Sequence, residues 1–91
     1  MAEPVRDWVV SPHGLASMQR RGIGVEVVGQ VMAAPEHRFS VRAGRDVLQS
    51  RLLLDGRMYL VRIFVDVDRS PPEVVTAYRS SKIEKYWSSQ S

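Results

Sequence analysis

Asp55-Gly56 is the strongest local instruction in this chain. A two-residue turn of the I′ kind needs positive φ at both central positions, which Asp tolerates and Gly adopts freely, and its twist matches that of paired strands. Apolar residues alternate with period two on both sides of it, as in half-buried strands. The turn therefore predicts strands over Asp46–Leu54 and Arg57–Val67 and sets their register. Leu48, Ser50 and Leu52 face Ile63, Val61 and Tyr59, with Val65 continuing that surface as the core side. The opposite side pairs Val47 with Phe64, Gln49 with Arg62, and Arg51 with Leu60.

The hairpin needs cover on its core side, and the segment before it supplies candidates. Trp8-Val9-Val10 reads as a short strand. Ser11-Pro12 then reads as an N-cap with Pro at the first helical position, opening a helix to Arg21 that buries Leu15 and Met18 and stops at Gly22. A second helix over Val25–Ala34 gathers Val27, Val28, Val31 and Met32 on one face, and Pro35 ends it. After the hairpin, Asp68–Pro72 reverses the chain and Val74–Arg79 forms a last strand. Ser81-Lys82-Ile83-Glu84 has capping-box spacing, which predicts a short terminal helix through Tyr86 and Trp87. The fold class is α+β: two N-terminal helices packed on one face of an antiparallel sheet, then a short C-terminal helix.

With 91 residues the chain makes one domain, residues 1–91, enough to bury about 60–65% of the unfolded surface. Apolar residues at 44% and charged ones at 25% fit an ordinary globule rather than a disordered chain. The absence of Cys excludes disulfides, thiolate metal sites and cysteine catalysis. No apolar run is long enough to span a bilayer and no secretory signal is visible, so a cytoplasmic location with no membrane partner is expected.

The charge is peculiar in kind rather than size. Net charge is only +3, but eleven of the thirteen basic residues are Arg, with Lys82 and Lys85 the two exceptions. A guanidinium fork matches phosphate oxygens, so placement decides the meaning. Gln49, Arg51 and Arg62 fall together on the non-core face of the hairpin. Tyr78-Arg79-Ser80-Ser81-Lys82-Ile83-Glu84-Lys85-Tyr86-Trp87 adds a phenol, a guanidinium, hydroxyls and amines at a strand-to-helix junction, a candidate phosphate cradle with Tyr86 as a stacking surface. His13, in the first turn of a helix, is a candidate base. His37 has no evident partner. No spacing suits a metal ion, and no cofactor is implied.

Two stretches resemble a small bacterial family of unknown function that is grouped with RelE- and BrnT-like toxins. Ser11-Pro12-His13-Gly14-Leu15-Ala16-Ser17-Met18-Gln19-Arg20-Arg21-Gly22-Ile23 is similar to its SPHALERMRERGI opening, and Val75 to Trp87 is similar to its VVTAYRTSKIxKYW ending. Gly14, Ser17 and Gly24 depart from that pattern, which has Ala, Arg and a capping Ser there. The resemblance implies a RelE-like fold and a metal-independent endoribonuclease that acts on RNA, including ribosome-bound mRNA, and is neutralised by a cognate antitoxin protein. It implies that Arg51, Arg62, Arg79 and Lys82 clamp phosphate and that His13 or Tyr78 transfers protons; Gln49, Lys85 and Tyr86, placed beside them by the register and the C-terminal stretch, are expected to help hold RNA. A non-catalytic nucleic-acid or protein interaction module of the same fold is the alternative.

Overall fold

The computed structural model describes residues 1–87. In chain order the elements are β1 (Val9–Val10), α1 (Pro12–Arg21), α2 (Val25–Ala33), β2 (His37–Arg42), β3 (Arg45–Leu54), β4 (Arg57–Asp66), β5 (Glu73–Ser80) and α3 (Ile83–Tyr86). They form an α+β fold around one five-stranded sheet of order β1-β5-β4-β3-β2. No helix among the described residues is long and apolar enough to cross a membrane.

The central hairpin forms as the turn dictates. Asp55 has φ 52° and Gly56 φ 78°, both in the left-handed region that a I′ turn requires. β3 and β4 then pair without interruption from Arg45↔Asp66 to Leu54↔Arg57, and every expected cross-strand pair is present. β2 and β5 add antiparallel strands on either side. The short β1 pairs parallel with β5, so the sheet is mixed rather than wholly antiparallel.

Helix α2 covers the core side, and Val28, Val31 and Met32 are fully buried with Leu48, Val61 and Ile63. Fully burying such side chains contributes roughly 1.5–3 kcal/mol each before entropic costs, so this layer is a large stabilising contact. Helix α1 sits differently from the expectation. Ser11 Oγ accepts from the Gly14 N–H at 2.9 Å, and Gly22 at φ 66° ends the helix. Its buried residues, however, are Gly14, Ser17 and Met18, while Leu15 is 49% exposed. The cause is the free edge of β5. Ser17 Oγ donates to the Ala77 carbonyl at 2.7 Å and accepts from the Ala77 N–H at 3.3 Å, standing in for a neighbouring strand beyond the end of β1. A helix that approaches a strand edge this closely needs small residues on that side. The apolar spacing of Leu15 and Met18 gave no sign of it.

Helix α3 also departs from the capping-box reading. Lys82, not Ser81, occupies the N-cap position, and no side chain caps the helix. Ser80 Oγ instead accepts from the Lys82 N–H at 3.1 Å, one residue earlier than the box would place it. The result is a single helical turn with no buried residue.

Two glycines separate packing from propensity. A Cβ on Gly14 would lie 2.5 Å from the Val74 carbonyl oxygen, whereas one on Gly29 would meet only the Trp8 ring at 3.8 Å. Gly14→Ala should destabilise by about 1–3 kcal/mol despite better helix propensity, and Gly29→Ala should stabilise by about 0.5–1 kcal/mol. Thermal unfolding checks both, at about 4–8 °C per kcal/mol for a domain of this size. A Gly14→Ala protein as stable as the parent would contradict the close approach of α1 to β5.

Candidate functional site

The face of the sheet opposite α2 carries a hydrogen-bonded row that runs across four strands. His37, Gln49, Arg62 and Tyr78 are cross-strand neighbours on β2, β3, β4 and β5. Gln49 Nε2 and His37 Nδ1 are 3.2 Å apart, Arg62 Nε donates to Gln49 Oε1 at 2.9 Å, and Arg62 Nη1 donates to the Tyr78 hydroxyl at 2.6 Å. The guanidinium only donates, so it must meet the amide oxygen. That orients the Gln49 amide and makes His37 Nδ1 an acceptor. Gln49 is fully buried, and no buried side-chain polar atom among the described residues lacks a partner.

Arg62 stands out among the arginines by its company. Of the four half-buried ones, Arg38 pairs with Asp46 at 2.8 Å and Arg45 with Asp66 at 2.6 Å. Arg62 and Arg79 have no carboxylate partner among the described residues. The Arg62 guanidinium lies instead 4.6 Å from the Tyr86 ring centre and 5.4 Å from that of Phe64. Arg21, at the end of α1, reaches within 5.7 Å of the Tyr78 ring, and Lys85 within 5.3 Å of Tyr86. Positive charge thus surrounds two phenol rings, and Arg21, Arg62 and Lys85 form no ion pair among the described residues.

Helix α3 lies across this face. Gln49 Nε2 also donates to the Tyr86 carbonyl at 3.4 Å. Beyond the helix, the Trp87 indole stacks on the His37 imidazole, with ring centres 3.9 Å apart and 19° between planes, and the Arg51 guanidinium lies 4.0 Å from the indole centre.

The predicted site residues divide. Gln49, Arg62, Tyr78, Lys85 and Tyr86 gather here, with Lys82 exposed at the start of α3. Arg51 lies on the same face, and its guanidinium is engaged with Glu36 at 3.0 and 3.3 Å. Arg79 is paired with the core residue Val61, lies on the α2 side of the sheet and rests 4.6 Å from the Tyr59 ring centre. It cannot share a face with its neighbour Tyr78. His13 is exposed at the start of α1, which Ser11 N anchors to the Val74 carbonyl at 2.9 Å. Val74 precedes Tyr78 by four residues on β5, about 13 Å along the strand, so His13 and Tyr78 do not converge.

His37 and Arg21 are the residues that sequence reasoning missed. A bulge at Val41 shifts the β2–β3 register between Ser40 and Arg42. Pairing counted straight back from Arg42↔Arg45 would put His37 opposite Ser50, on the core side, whereas the extra residue brings it opposite Gln49. Arg21 reaches the face because α1 follows the β5 edge. A cavity of about 300 Å³ lined by Val5, Trp8, Gly29 and Ala33 lies elsewhere and holds none of these groups. No cluster of three or more His, Cys, Asp or Glu side chains that could hold a metal ion occurs among the described residues.

The hydrogen bond from Arg51 holds the Glu36 carboxyl below the usual carboxylate range, and Glu36 in turn pushes Arg51 up. A depressed carboxylate stabilises the fold above its unfolded pKa, and that contribution is lost as pH falls through the folded value. Arg51→Ala should move the Glu36 titration, followed by NMR of its carboxyl carbon, back toward the ordinary range. The stability advantage of the parent over this variant should shrink in acid. An unchanged Glu36 titration would contradict the pairing.

No family model matches this chain, and no curated protein or solved structure does, so the row itself carries the functional reading.

Proposed function

We propose that this chain is a toxin-like RNA-binding domain that takes single-stranded RNA across the His37–Gln49–Arg62–Tyr78 face and cleaves it by metal-independent transesterification. The observation that carries the reading is Arg62, a half-buried charge held by neutral partners between aromatic rings. A guanidinium not neutralised by a carboxylate keeps its attraction for phosphate, and the Phe64 and Tyr78 rings beside it on β4 and β5 offer stacking surface for bases. The similarity of Ser11–Ile23 and Val75–Trp87 to the toxin-like family supports the same reading. It adds a cognate antitoxin as the partner that would silence the activity.

The Arg62–Tyr78 pair favours cleavage over binding alone. The Tyr78 hydroxyl accepts from Arg62 Nη1, which leaves its own proton directed elsewhere. In the proposed step the RNA 2′-oxygen bonds to phosphorus and its proton goes to solvent. The 5′-oxygen leaves with the Tyr78 proton, and solvent restores the phenol. Arg62 stabilises the charge that builds on the phosphoryl oxygens. Arg79 takes no part, since it lies on the α2 side of the sheet, nor does His13, which stands beside the Val74 end of β5 away from Tyr78.

Binding to a short single-stranded RNA, followed by anisotropy, should weaken with a log–log salt slope of about −2 if about three phosphates are neutralised. Arg62→Ala should lose about 10–100-fold in affinity, while Arg38→Ala, paired on the other face, should stay within about twofold. Tyr78→Phe should bind normally and cleave about 100–1,000-fold more slowly. Products ending in 2′,3′-cyclic phosphate identify the reaction. Tight binding that leaves RNA intact would move the reading to the non-catalytic module, and a folded protein that binds no RNA would overturn it.

A further inference from the structure

We infer that the surface under Trp87 is a nucleobase-stacking slot, formed by the His37 imidazole and the Arg51 guanidinium and filled in the free protein by the chain's own indole. This rests on the RNA-binding reading of the face and assigns its base subsite. The indole is a flat pair of fused rings, like a purine, and its contacts are those by which single-strand sites hold bases: a ring stacked at 3.9 Å and a guanidinium at 4.0 Å. Arg51 is already neutralised by Glu36, which suits it to stacking rather than to phosphate. Its strand neighbour Gln49 holds Arg62, one strand further across the sheet, so a base at Arg51 and a phosphate at Arg62 are adjacent subsites.

The turn that fills the slot is otherwise held by the Tyr86 ring against Arg62 and Tyr78 and by one hydrogen bond. Helix α3 has four residues, no side-chain cap and no buried residue. One turn of helix does not persist alone in water, so its contacts with the face hold it in place. Among the described residues, the hydrogen bond from Gln49 Nε2 to the Tyr86 carbonyl, at 3.4 Å, is the one that ties α3 to the sheet. If the turn swings away, Gln49 keeps His37 and Arg62, and a base replaces the indole on His37. The stack of the indole on His37 and Arg51 keeps the turn closed until RNA arrives. RNA and the C-terminal turn therefore compete for one surface.

The test uses a short single-stranded RNA that carries a fluorescent adenine analogue. Trp87→Ala should bind it about 5–20-fold more tightly than the parent, because closed protein no longer subtracts from affinity, and adding His37→Ala should remove the gain. Binding by Trp87→Ala that is equal to or weaker than the parent's overturns the competition and leaves the RNA reading standing. No binding by either protein overturns both. A second measurement avoids altering the turn. In Trp8→Phe, Trp87 is the remaining indole, and saturating RNA should increase its quenching by iodide as the ring leaves the slot. Quenching that falls or stays constant would mean the indole remains in place, and would overturn the inference.

Discussion

The hydrogen bond from Arg62 to the buried amide of Gln49 organises the whole face on which function is read. A fully buried glutamine is costly unless every polar atom is partnered. Here the amide oxygen takes the guanidinium and the amide nitrogen takes His37 and the Tyr86 carbonyl, so one side chain positions residues from β2, β4 and α3. The same bond leaves Arg62 Nη1 free for Tyr78 and sets the guanidinium plane beside Tyr86. A polar row in place of an apolar one yields less burial energy, and its gain is orientation.

The opposite edge of the sheet explains how α1 serves the same face without touching its centre. Gly14 and Ser17, both departures from the resembling family's pattern, let α1 approach β5, and Ser17 satisfies the Ala77 backbone that would otherwise lie bare. The helix thereby protects an edge from pairing with other chains and delivers Arg21 to the Tyr78 ring at its far end. Packing and charge placement follow from one contact.

The hairpin and its register were legible because Asp55-Gly56 leaves the two strands a single way to pair, and with them the Gln49–Arg62 neighbourhood. His37 was not legible: a single extra residue, Val41, reverses which side of the sheet it occupies, and no residue type near it marks a bulge. Arg79 was legible and yet misplaced. Strand alternation alone separates it from Tyr78, although the two are neighbours in one motif. His13 illustrates the same hazard, since a residue in a recognisable opening segment need not reach the segment that closes the chain. The apolar pattern found α2 and Met18 of α1 but not the exposure of Leu15, because a strand edge as well as a core face selects the buried residues of α1.

Four of the eleven arginines are tied into the architecture by carboxylates: Arg38, Arg45, Arg51 and Arg69. Of the half-buried arginines, Arg62 and Arg79 keep neutral partners, and Arg62 is the one that lies on the face with Gln49 and Tyr78, where its charge is to meet phosphate. NMR of the arginine Nε–H groups during titration with single-stranded RNA tests this most directly. The Arg62 resonance should move most, with Arg38 and Arg45 unchanged. Movement at Arg38 or Arg45 with Arg62 still would contradict the account.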